Sequence, residues 1–169
     1  MNTETASVLP IDYDTRIALQ LVKEWTDEND ETLPLKFAYL QLTKLPFLPR
    51  NLKRLSCCNL NITELLDLPD GIISIYLHNV PIKTLDKIPP SIITFFCDNS
   101  EIMSLPELPS SLIYFNCTNS PLLIQKDNNE SIDDYNSRWR ELEIRMRNQK
   151  RCVEIKRELM EVTWSKHTL

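Results

Sequence analysis

Glycine is nearly absent from this chain: Gly71 stands alone among 169 residues, against eleven prolines. Phosphate-cradling loops, dinucleotide fingerprints and nucleophile elbows all need glycine where backbone must approach a ligand closely, so those chemistries are excluded. Histidine is almost as scarce. With only His78 and His167 there is no HExxH pair, and Cys57, Cys58, Cys97, Cys117 and Cys152 form no CxxC, so neither a zinc site nor any other cofactor is expected. No run of eighteen apolar residues occurs, and the opening MNTETASVLPIDYD is acidic and lacks an apolar signal core. We therefore expect no membrane contact, a cytoplasmic location, and five reduced thiols.

What the chain does contain is repetition. In rows of twenty the middle reads LKRLSCCNLNITELLDLPDG from Leu52, IISIYLHNVPIKTLDKIPPS from Ile72, IITFFCDNSEIMSLPELPSS from Ile92 and LIYFNCTNSPLL from Leu112. Asn59, Asn79, Asn99 and Asn119 share one column. Leu55, Ile75, Phe95 and Phe115 share another, as do Cys57, Leu77, Cys97 and Cys117, and Ile62, Ile82, Ile102 and Leu122. A degenerate rung precedes them, with Leu35, Phe37 and Leu42 in the apolar columns and Tyr39 in the asparagine column.

Such columns have a physical meaning. Residues alternating at period two turn Leu55 and Cys57 inward from a short strand, and stacking each rung on the next builds a parallel sheet with strands about 4.8 Å apart. No rung buries its apolar face alone, so neighbours stabilise one another. An inward-turned asparagine side chain would serve backbone groups where the chain leaves each strand, forming a structural ladder along Asn59, Asn79, Asn99 and Asn119. Pro69, Pro89 and Pro109 keep the outer side extended and too short for a helix. Gly71 shares its column with Asn51, Ser91 and Ser111, so that corner is expected to tolerate a side chain.

The pattern L-x-x-L-x-L/C-x-N-x-x-L-x-x-L-x-x-L-P over residues 33 to 124 resembles the leucine-rich repeat, in the short twenty-residue LPxLP form seen in secreted bacterial effectors. The resemblance implies an α/β solenoid with a parallel β-sheet on its concave face, an extended convex side, and helical caps at both ends. Residues 1–31 are expected to form the N-terminal cap, with a helix over 12–28. Asp12 or Asp14 would cap that helix, and Ile17, Ala18, Leu21, Val22 and Trp25 would face the first rung. Residues 32–125 would hold about five rungs of period twenty.

Residues 126–169 read as a basic helical tail of two helices, or of one with a bend, because the apolar phase slips near Asn148 and Gln149. Ile132, Tyr135, Trp139, Leu142 and Met146 form one stripe, and Cys152, Ile155, Leu159 and Val162 form a second, which reads as core. From Asn136 onward the net charge is +4, against −9 for the residues before it. The tail, with Ile155, Lys156, Glu158, Leu159, Met160, Val162, Thr163 and Trp164, also resembles the ending of leucine-rich repeat proteins encoded by giant DNA viruses of amoebae. That resemblance implies a viral protein of unidentified host or viral partner and assigns no catalytic residue. Some effectors with such repeats carry a large ligase domain, but only 44 residues follow Gln125. No enzyme is expected.

Outward strand positions gather on the concave face: Lys36, Ala38, Arg54, Ser56, Cys58, Ser74, Tyr76, His78, Thr94, Phe96, Asp98, Tyr114, Asn116 and Thr118. Tyr76, Phe96 and Tyr114 are large groups of the kind that anchor protein interfaces, and with Arg54, Ser56, Cys58, His78, Asp98, Asn116 and Thr118 they are the expected partner-binding residues. The plainer alternative is that the rings shield the sheet. One column runs Cys58, His78, Asp98, Thr118, in the order of nucleophile, base and orienter, yet no oxyanion donor stands beside it, and an ordinary polar surface is the favoured reading. A competing function is nucleic-acid or acidic-surface binding through the basic helices, using Arg138, Arg140, Arg145, Arg147, Lys150, Arg151, Lys156 and Arg157 with Trp139 and Trp164. Interspersed Glu141, Glu143, Glu154, Glu158 and Glu161 argue instead for pairing along a helix surface, so nucleic acid is not the expected partner.

Overall fold

A computed structural model describes residues 12–122, 124–127 and 129–165, with side chains described up to residue 157. The opening eleven residues assigned to the N-terminal cap, and the side chains of Leu159, Val162 and Trp164, lie outside the described residues. The chain divides into two compact units, residues 1–125 and 126–169.

The first unit opens with helix α1, Tyr13–Glu28. Asp12 caps it, its carboxylate accepting from the Thr15 N–H at 2.9 Å, and Asn29 ends it in the left-handed conformation, as both residue types favour. Ala18 and Trp25 are buried, and Trp25 Nε1 donates to the Leu33 carbonyl at 3.0 Å. Asp14, the other candidate cap, instead accepts from the Gln41 N–H at 2.7 Å. Helix and first rung are thus tied at two points.

Five strands follow: β1 Leu35–Ala38, β2 Arg54–Cys58, β3 Ser74–His78, β4 Thr94–Asp98 and β5 Tyr114–Asn116. They form one parallel sheet in chain order, and each residue registers with the one twenty positions on, Leu55 with Ile75 and Ile75 with Phe95. The inward columns are the core. Leu52, Leu55, Ile62, Ile72, Ile75, Ile82, Ile92, Phe95 and Ile102 are all fully buried. Each rung re-enters its strand through a turn in which a proline carbonyl accepts from the N–H three residues on, Pro49 to Leu52, Pro69 to Ile72, Pro89 to Ile92 and Pro109 to Leu112. Gly71 lies in one such turn without positive φ, and a Cβ there would meet only the flexible Lys53 ammonium, at 3.0 Å. In the same column Ser91 and Ser111 donate back to carbonyls of the preceding rung at 2.6–2.7 Å.

The asparagine column corrects the expectation of inward-turned side chains. Asn79, Asn99 and Asn119 are exposed and Asn59 is half-buried. All four hold left-handed backbone, φ 51°, 51°, 53° and 58°, the first three directly after the last residue of β2, β3 and β4, and asparagine tolerates that conformation better than most residues. Their amides bond to one another outside the core, Asn79 Nδ2 to Asn59 Oδ1 at 2.6 Å and Asn119 Nδ2 to Asn99 Oδ1 at 3.0 Å. Inward hydrogen bonding falls to the next column. Ser100 and Ser120 are buried, their hydroxyls 2.8 Å apart, and Ser120 Oγ donates to the Cys97 carbonyl at 2.7 Å.

The thiols also differ from expectation. Cys97 and Cys117, inward on successive rungs with Cα atoms 4.6 Å apart, are joined by a disulfide; Cys57, Cys58 and Cys152 are free. The parallel register brings one column's residues within bonding reach, which their separation in sequence conceals.

The second unit is built on one helix, α2, Ile132–Ser165. Ser131 caps it: the Asp134 N–H donates to Ser131 Oγ at 3.1 Å, and Ser131 Oγ donates to the Asp134 carboxylate at 2.7 Å. Arg138 clasps Glu130 through two donors, at 2.5 and 2.6 Å, which lowers the Glu130 pKa. Of the two alternatives for the slip near Asn148, two helices or one with a bend, the helix runs on as one, because a slip in apolar phase removes no backbone bond and neither proline nor glycine interrupts it. Tyr135, Asn136 and Trp139 are buried, whereas Cys152 and Ile155, expected in a core stripe, are exposed.

Candidate functional site

The open face of the sheet is ordered in rows by the register. Arg54, Ser74, Thr94 and Tyr114 form the first row; Lys36, Ser56, Tyr76, Phe96 and Asn116 the second; Ala38, Cys58, His78 and Asp98 the third. Thr118 lies past the end of β5, where its N–H meets Asp98 Oδ1 at 3.2 Å and Asn116 Oδ1 at 3.0 Å. Ser74 and Thr94 prove buried rather than open, being short side chains in a row ended by Arg54 and Tyr114.

The three rings separate into a pair and a single. Tyr76 and Phe96 meet edge to face, centroids 5.2 Å apart at 89°, a favoured aromatic geometry. Tyr114 registers with Thr94 and is 60% exposed, one row away from Phe96. Below this surface Phe95 and Phe115 stack on the core side at 6.2 Å.

In the third row Cys58, His78 and Asp98 are direct neighbours, but the polar atoms of Cys58 and Asp98 are engaged elsewhere. Asn59 Nδ2 donates to Cys58 Sγ at 3.1 Å, and the Asp98 carboxylate takes the Thr118 N–H. Among the described residues no ion pair joins His78 to Asp98, and no three metal-ligating side chains converge. Beside Cys58, the Cys57 thiol is pushed up to about 12 by burial, so it stays a neutral core group.

A groove of about 490 Å³ runs over the first rungs of this face, lined by Pro34, Lys36, Arg54, Ser56, Ser74, Tyr76 and Thr94. Arg54 is held there by Nη1 donating to the Thr32 carbonyl at 2.9 Å. Thr32 and Pro34 carry no repeat-column signal, because neither resembles the residue twenty positions on, and only the folded chain brings them to the groove's end. A second groove, about 330 Å³, lies on the convex side between Lys44–Leu48 and Glu64–Asp67, where Phe47 is 92% exposed and Lys44 pairs with Glu64 at 3.2 Å. The repeat columns gave no hint of it, since Phe47 shares its column with Asp67, Lys87 and Glu107.

No protein-family model matches this chain. No curated protein matches it either. Solved structures do. The leucine-rich repeat domain of a Shigella effector is similar at 25% identity and a TM-score of 0.61, over 66% of this chain and 50% of that one. YopM from Yersinia enterocolitica WA-314 is similar at 23% identity and a TM-score of 0.54, over 72% of this chain and 32% of that one. The chain thus spans half the length of the first and about a third of the second. Parallel strands stacked in chain order, one inward column after another, and these two likenesses make the fold a leucine-rich repeat solenoid with a helix before the repeats and another after them.

Proposed function

We propose that this solenoid is a protein-interaction module that takes its partner on the concave face. The observation that carries the reading is the Tyr76–Phe96 pair: two rings held edge to face on an open sheet, with Tyr76 40% exposed beside a groove that ends at Arg54 and Lys36. Tyrosine and arginine beside a concavity are the side chains on which interfaces concentrate their binding energy. Likeness to an effector's repeat domain supports a general interaction role. From the resemblance of its tail we further infer a virus-encoded protein acting on host proteins.

Arg140 to Arg157 of α2 is exposed except for half-buried Leu142, which favours basic-helix binding to nucleic acid as the second reading. A photo-cross-linking residue at position 76, compared with one at position 47 on the convex side, separates the two. The concave reading expects position 76 to trap one protein specifically, with capture lost when Tyr76, Phe96 and Tyr114 are replaced by Ser and melting unchanged. Capture that survives the triple replacement, and disappears when Arg145, Arg147 and Arg151 become Gln, would transfer the function to α2.

A further inference from the structure

We propose that the occupant of the concave groove is an acidic segment of a partner protein, extended across the strands, with carboxylates over Lys36 and Arg54 and an aromatic ring against Tyr76 and Phe96. This rests on the concave-face reading and adds the chemistry of the partner to it.

Charge is the first argument. Residues 1–125 hold nine Lys and Arg against fifteen Asp and Glu, so cations there should readily find carboxylates. Lys23, Lys44 and Lys83 do, pairing with Asp27, Glu64 and Glu101. Lys36 and Arg54 do not, and neither do Arg50, Lys53 and Lys87, but Lys36 and Arg54 alone of these share a groove, both are exposed, and among the described residues no acidic side chain lines it. Asp98, the one carboxylate among the outward strand positions, stands at the far end of the third row and accepts from the Thr118 backbone. The groove is therefore a cationic spot on an acidic unit, and an incoming carboxylate there gains an ion pair without displacing an internal one.

Geometry supplies the second argument. The Thr32 carbonyl holds one guanidinium nitrogen of Arg54, which fixes the fork in place and leaves its other donors for a ligand. Lys36 and Tyr76 lie in the same row two strands apart, a span of about 10 Å. An extended chain covers that distance in about three residues. The matching ligand carries Asp or Glu roughly three positions from Tyr, Phe or Trp, with its ring laid on the Tyr76–Phe96 pair.

The test uses fluorescence polarisation of the full chain with a labelled random glutamate–tyrosine copolymer, and polyglutamate as the ring-free control. The copolymer should bind more tightly than polyglutamate, and Lys36→Glu combined with Arg54→Glu should weaken it about tenfold or more. Lys36→Glu alone, at a side chain with no internal partner, should act in the same direction, which keeps the result independent of the Arg54 anchor. Replacing Arg145, Arg147 and Arg151 by Gln should leave binding unchanged. No copolymer binding, binding indifferent to charge reversal, or binding lost with the α2 arginines would each overturn the proposal. Loss with Tyr76→Ser but not with charge reversal would reject the acidic partner and keep the concave face. Indifference to both would remove the two together.

Discussion

Asn79 donates its side-chain amide to Asn59 Oδ1 at 2.6 Å one rung earlier, and both residues hold φ at 51°. One residue type thus performs two tasks. It accepts the left-handed backbone that turns the chain out of the strand, and it links neighbouring turns on the solvent side.

The two tasks can be separated by substitution. Asn79→Gly keeps the backbone comfortable and should lose about 1 kcal/mol for the side-chain bond, whereas Asn79→Ala should lose a further 1–2 kcal/mol or so for left-handed strain. Urea unfolding of the two variants checks the difference. Equal losses would mean that backbone strain plays no part.

Tyr39 occupies the same column in the first rung at φ 57° and is 77% exposed, so it bears the strain with little burial in return. Tyr39→Asn should raise stability by about 0.5–1 kcal/mol, read as a higher urea midpoint at unchanged slope.

Trp25 seals the β1 edge, buried to 5% exposure with its indole N–H on the Leu33 carbonyl. Trp25→Ala should cost about 3–5 kcal/mol and uncover an unpaired strand, seen as concentration-dependent light scattering. Trp25→Phe, which keeps most of the burial, should lose only the hydrogen bond, about 1 kcal/mol, and remain monodisperse.

Thiol counting tests the Cys97–Cys117 link. The denatured, unreduced chain should titrate as three thiols, Cys57, Cys58 and Cys152, and the reduced chain as five. Closing a loop of 20 residues should contribute about 3 kcal/mol, so Cys117→Ser and reduced wild type should melt alike, below the oxidised protein.

Stability should depend on pH at both ends. Burial raises the Cys57 pKa from 9.0 to about 12, so its contribution is complete below 9.0 and is lost as pH climbs towards 12, where the unfolded chain has already ionised. Glu130 behaves oppositely. Its pKa is lowered, first by the hydrogen bond from Arg138, so its contribution is present above 4.5 and is lost as pH falls through the lowered value. Melting curves of Cys57→Ala should decline less steeply above pH 9.0 than wild type, and those of Glu130→Gln less steeply below pH 4.5.

Sequence alone determined the rungs, their period and their inward columns, because translation by twenty residues and alternation by two are properties of the chain that any stacked strand must obey. It also determined which strand residues alternate away from the core, from Lys36 to Asn116, but not that Ser74 and Thr94 among them are buried. Tertiary structure decided what those residues touch. Register placed Phe96 beside Asn116 and Tyr114 beside Thr94, so the expected trio of rings became a pair and a single. It brought Cys97 to Cys117 and Ser100 to Ser120, contacts within one column between successive rungs that depend on side-chain reach. It turned the asparagines outward because a left-handed residue ends the strand before its side chain can point in. It left Cys152 and Ile155 of α2 exposed, since an apolar stripe records a preference for burial and burial requires a surface to meet.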